Sequence, residues 1–146
     1  MATFDARKGN SSGVGLSSTM TAPVYNLRNT IKLATSSSGG VIAANDIIQV
    51  FTIPQETWVL AAGVETTTVN TSAGSMQLSG AGFILAAAAN GNLSAGVGQQ
   101  GWVVSAAAFP FFNSAASTVE LVLTSGTISV ADGVLRVYML CSNQNA

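Results

Sequence analysis

Short runs of alternating apolar and polar residues, each cut off by glycine, proline or serine, govern what this chain can fold into. From Tyr25 to Lys32, Tyr25, Leu27, Ile31 and the following Leu33 fall on one side, with Asn26, Arg28, Thr30 and Lys32 on the other. A period of two places successive side chains on opposite faces of a strand and leaves one face free to be buried. Thr118 to Thr124 repeats the pattern, with Val119, Leu121 and Leu123 inward and Glu120 outward. Val134 to Cys141 repeats it again: Leu135, Val137, Met139 and Cys141 point in, while Arg136 and Tyr138 point out. No stretch carries the spacing of an amphipathic helix. The alanines Ala86 to Ala89 are too few to nucleate one.

Other strands follow from the same signals. Ile47 to Ile53 stops at Pro54, which has no N–H to give a ladder. Trp58 to Val69 is long enough to need a bend, expected at Gly63. Ser75 to Leu78 and Phe83 to Leu85 flank the turn Gly80-Ala81-Gly82, and Trp102 to Ala106 is a further strand. Ser125-Gly126 is expected to turn the chain into Ile128 to Val130, and Asp132-Gly133 is the strongest hairpin signal. The fold expected is all-β, an antiparallel β-sandwich or jelly-roll-like barrel of about eight or nine short strands. Residues 1–23 have neither period and little to bury, so they read as an extended N-terminal arm on a β-sandwich domain of residues 24–146.

Composition then excludes chemistry. Without histidine there is no imidazole base and no His-ligated zinc, and Cys141 alone makes neither a disulfide nor a thiol pair. No catalytic residue, metal site or cofactor is expected. Gly96-Val97-Gly98-Gln99-Gln100-Gly101 matches a dinucleotide fingerprint in letters only, since a strand and not a helix follows it. Glu65 and Glu120 read as solvent-facing strand residues, with Arg136 or Lys32 as partners, more readily than as a glycosidase pair.

Charged residues make up 8% of the 146, against about 25% in ordinary soluble proteins. The net charge of −1 provides no field to attract nucleic acid or an anionic membrane, and no apolar run approaches the length of a bilayer span. Residues 1–10 carry no continuous apolar stretch of the secretory kind, so synthesis and retention in a reducing cytoplasm are expected. A surface so poor in charge tends to associate. Its contacts should be mostly apolar and weakly dependent on salt, because the charges are spread along the chain. The residues suited to anchoring an interface are Phe4, Leu16, Trp58, Trp102, Phe109, Phe111 and Phe112. The aromatics among them also suit sugar stacking, which keeps a carbohydrate-binding module of a surface fibre as the alternative.

Three stretches together resemble a known family. Asp46 to Pro54 runs into Trp58 to Glu65; Pro110-Phe111-Phe112 precedes Ser117 to Leu123; Gly133 to Leu140 closes the chain. In this order they are similar to the capsid decoration, or cement, proteins of tailed bacteriophages. The resemblance spans residues 25–142 and rests on strand and turn composition, without a chemical motif. It implies a β-rich structural protein of the virion that binds the outer capsid surface. The implied partners are the major capsid protein and further copies of the chain in a homotrimer. The acidic residues common after the middle hairpin of similar sequences are missing between Gly80 and Leu85.

Metal chelation is therefore expected to leave folding untouched. Thermal unfolding with and without EDTA checks this, and a Tm lowered by several degrees would reveal a bound ion.

Overall fold

The computed structural model describes residues 1, 3–5, 24–33, 41–70, 74–88, 98, 102–129 and 133–143. The alternating runs become strands in two stacked sheets. One sheet runs in the order β1 (Thr3–Asp5), β4 (Ile47–Ile53), β10 (Ser117–Ser129), β6 (Gly74–Gly80), β7 (Phe83–Ala88) and β8 (Trp102–Val104), with β3 (Val41–Ala43) also paired to β10. The other runs β2 (Val24–Lys32), β11 (Val134–Asn143), β5 (Thr57–Thr68) and β9 (Phe111–Asn113). Every pairing is antiparallel except β1 beside β4. The fold is an all-β sandwich.

The inward phase of each strand supplies the core. Leu135, Val137, Met139 and Cys141 of β11 meet Val119, Leu121 and Leu123 of β10, with Leu27, Ile31, Ile48, Phe51 and Ile53 around them, all buried. Burying one such side chain contributes about 1.5–3 kcal/mol. An exposed ion pair contributes about 0.2–1 kcal/mol, so the inner face of β11, and not its outer charges, holds the strand in place.

Three buried or half-buried polar links tie the layers together. Asn29 Nδ2 of β2 donates to the Val50 carbonyl of β4 at 3.1 Å. Trp102 Nε1 of β8 donates to Thr66 Oγ1 of β5 at 3.2 Å. Asn113 of β9 donates to the carbonyls of Pro54 at 2.8 Å and Ile53 at 3.3 Å, while its Oδ1 accepts from Ser117 Oγ at 2.9 Å. Each amide or indole group is thus satisfied, which a dry sandwich interior requires.

Several local expectations are corrected. Eleven strands are present among the described residues. The additional ones, such as Thr3–Asp5, Val41–Ala43 and Phe111–Asn113, are too short to show a period in sequence. Thr3–Asp5 lies within the segment read as an arm, yet it pairs with Ile47–Gln49 at the edge of a sheet; residues 6–23 lie outside the described part of the chain. Ala86–Ala88 extends β7.

Ser125-Gly126 does not reverse the chain. β10 runs on through it, with Thr124 as the extra residue of a bulge between Leu123↔Met76 and Ser125↔Ser75. The bulge matches the partner strand. β4 pairs with the first half of β10 and β3 with its last three residues, and the Leu123 backbone bonds Asn45 and Asp46 between them. Asp132-Gly133 is no hairpin either, because β10 and β11 belong to different sheets. Gly133 marks the crossing, at φ 106°, with its carbonyl accepting from Leu33 N.

The turn at residues 81–82 is confirmed as a tight one. Ala81 at φ 50° and Gly82 at φ 83° close the Gly80↔Phe83 pair, the geometry of a type I′ hairpin. Alanine is strained there, and asparagine tolerates the left-handed region. Ala81→Asn should raise stability by about 0.5–1 kcal/mol. In urea unfolding this appears as a higher midpoint at unchanged slope; an unchanged or lower midpoint contradicts it.

Candidate interaction surface

The pairing of β2, β11, β5 and β9 sets out the outer face of their sheet row by row. Phe112 lies opposite Trp58, which pairs with Ser142 and through it reaches Val24. The next outward row holds Ala61, Leu140 and Asn26, the next Gly63, Tyr138 and Arg28, and the next Glu65, Arg136 and Thr30. The last brings Val134 beside Lys32. One end of the face is apolar: Phe112 is 43% exposed, Leu140 and Leu60 37% each, and Val24 46%. The other end is basic.

Expectation and structure differ here over charge. Spread along the chain, the charges seemed unable to gather, but three of the five cations, Arg28, Lys32 and Arg136, stand on this one face. The strands of the opposite sheet contain no lysine or arginine and carry Asp5 and Glu120. Glu65 receives Arg136 Nη1 at 3.2 Å, with both side chains more than a third exposed. This matches the pairing read from sequence. Glu65 and Glu120 face outward from opposite layers, so they do not form a catalytic pair.

Gly63 has a different role from the bend assigned to it. The bulges in β5 lie at Leu60 and Thr67, where the register against β11 shifts. Gly63 stays in register with Tyr138, and a Cβ built there would collide with the Tyr138 Oη and Cζ atoms. The missing side chain lets the phenol ring lie flat across the strand, and the glycine is buried beneath it. The ring lies between the apolar and basic ends, on a level surface.

The candidate anchors separate into two groups. Trp58 is half-buried and tilted 51° against the exposed Phe112 at a centroid distance of 5.3 Å. The two inclined rings make an apolar ridge at this end of the face. Trp102 and Phe111 are core residues, 7% and 6% exposed. Phe111 is flanked by Phe83 at 4.9 Å and the half-buried Phe109 at 6.0 Å. Their area is used inside the protomer, because β8 and β9 turn them toward the opposing sheet. Phe4 is placed by its backbone, paired to Ile48, and Leu16 lies outside the described residues. Sequence reasoning missed Arg28 and Lys32 as neighbours of Arg136. The outward phase was visible in both strands, but not that the first strand after the proposed arm and the last strand of the chain would pair.

Other candidates are occupied or inert. Gly98 of the glycine-rich stretch exchanges two backbone hydrogen bonds of 2.7 Å with Thr66, and the next described element is the strand β8, while the other residues of the motif lie outside the described part of the chain. No cluster of three acidic, cysteine or histidine residues occurs among the described residues. Burial pushes the Cys141 thiol up to about 12, despite a hydrogen bond with Tyr25 that opposes the shift. Burial also raises Tyr25.

Comparison with known proteins finds no matching family model and no matching curated protein. Among solved structures, a chain in the capsid of Ralstonia phage GP4 superposes with a TM-score of 0.59 at 13% identity, over 99% of this chain and 100% of that one. A chain in the acidic stable capsid structure of Helicobacter pylori bacteriophage KHP30 superposes with a TM-score of 0.51 at 16% identity, over 80% of this chain and 86% of that one. At these identities the likeness is one of fold.

The buried thiol yields a pH signature. A thiol whose folded pKa lies above its unfolded value leaves stability intact below the ordinary range near 9, and stability falls as pH rises toward about 12. Cys141→Ala should flatten part of that fall, the remainder belonging to Tyr25. Denaturant unfolding from pH 8 upward measures it, and identical slopes in both proteins would contradict the assignment.

Proposed function

We propose that the chain is a non-enzymatic structural protein of a bacteriophage virion, a decoration or cement protein on the outer surface of the capsid. The observation that carries the reading is the end-to-end fold likeness to a chain of the GP4 capsid, 99% of one against 100% of the other. The KHP30 capsid chain supports it, as does the sequence resemblance over residues 25–142. A sandwich with small neutral side chains on much of its surface, and its polar links directed inward, is suited to be a passive building block. Its partners in this reading are the major capsid protein and two further copies of itself, and it is made in the host cytoplasm before joining the virion. Binding across neighbouring capsomers would stabilise the shell by adding contacts that the empty lattice lacks.

Quantitative mass spectrometry of purified particles tests the role. The chain should occur in fixed ratio to the major capsid protein, and heads lacking it should rupture at lower temperature. Its absence from purified heads, or a copy number that follows the tail proteins, would overturn the reading in favour of a fibre module. The trimer has its own check: light scattering on the isolated protein should give three times the 14.7 kDa chain mass, and a mass of one chain contradicts it.

A further inference from the structure

The first and last long strands of the chain pair to form a face with two chemistries on one level surface. Arg28 is exposed and has no ion pair among the described residues, while Glu65, the single acid on the face, is engaged by Arg136. Among the described residues this face carries three cations and one acid, and the acid is already engaged by Arg136, not Arg28. The described side chains on the strands of the opposite layer include Glu120 and no cation. In a chain with so few charges, this separation sets which side a charged partner approaches. The apolar ridge begins one outward row from Arg28, roughly 7 Å along the strands, at Leu140, and continues to Trp58 and Phe112.

We infer that the outer face of β2, β11, β5 and β9 is the docking surface, and that it takes an acidic protein surface with an apolar patch beside its carboxylates. The inference rests on the capsid reading above, in which that surface is the exterior of the major capsid protein shell. Aromatic anchors beside arginine are the combination that concentrates binding energy at protein interfaces. The cations orient the approach and set the register, and the Trp58–Phe112 ridge excludes water from the contact. Gly63 keeps the ground between them level by letting Tyr138 lie down. The other exposed apolar group, Phe83, Ile84, Val103 and Val104 of β7 and β8 on the opposite layer, has no cation in its strands and does not distinguish an acidic partner.

The test uses shells assembled from the major capsid protein alone, with the full-length chain added and binding followed by co-sedimentation. Arg28→Glu and Phe112→Ser, both at exposed positions, should each weaken binding by about tenfold or more with unchanged melting temperature. Glu120→Gln on the opposite face should bind as the unmodified chain does. Binding should also weaken as salt is raised, less steeply for Arg28→Gln. If the unmodified chain binds while Arg28→Glu and Phe112→Ser bind equally well, the face is wrong and the capsid role stands. If the unmodified chain does not bind the shells at all, the capsid reading fails, and the partner named here fails with it.

Discussion

The double pairing of β11, with β2 along one edge and β5 along the other, is the constraint on which both layers depend. It joins the first strand after the N-terminal segment to the last strand of the chain, so the sheet closes only when nearly the whole sequence is in place. The inward residues of β11 fill the centre of the core, and their burial outweighs by several-fold anything the strand's outward ion pair contributes. Because side chains alternate strictly, the register that buries Val137 and Met139 also fixes Arg136, Tyr138 and Leu140 on the outside. Core and surface are thus specified by one set of hydrogen bonds.

The outer face carries the consequence for function. Cations far apart in the chain become neighbours because β2 and β11 run antiparallel, and Tyr138 lies flat because its partner is Gly63. Neither feature strengthens the fold appreciably; a larger residue at 63 would instead displace a ring onto the surface. Their joint effect is a sheet face that is basic at one end and apolar at the other.

Local pattern made the strands legible and left their partnerships hidden. Ile47–Ile53 was readable to the residue, since Pro54 marks its end. The inward sets of β10 and β11 followed from period two alone. What failed were inferences from turn chemistry to topology. Asp132-Gly133 has the composition of a hairpin but lies where the chain crosses between layers, and Ser125-Gly126 follows a bulge inside a strand that runs on through it. Glycine and aspartate report a backbone conformation, and that conformation is shared by turns, bulges and crossings. Trp102 and Phe111 illustrate the same limit: residue type suited an interface, while strand phase put them in the core. Arg28 and Arg136 escaped because contact between distant strands has no local signal.

Hydroxyl-radical footprinting of the chain, free and bound to shells of the major capsid protein, tests this account most directly, since one experiment reads the inner and outer phases together. Met139 and Cys141 should be protected in both states, because the β11 register buries them. Trp58 and Phe112 should be oxidised in the free protein and protected in the bound one, while Val103 on the opposite layer stays reactive throughout. Oxidation of Met139 in the free protein, or protection that appears at Val103 and not at Trp58 and Phe112, would contradict it.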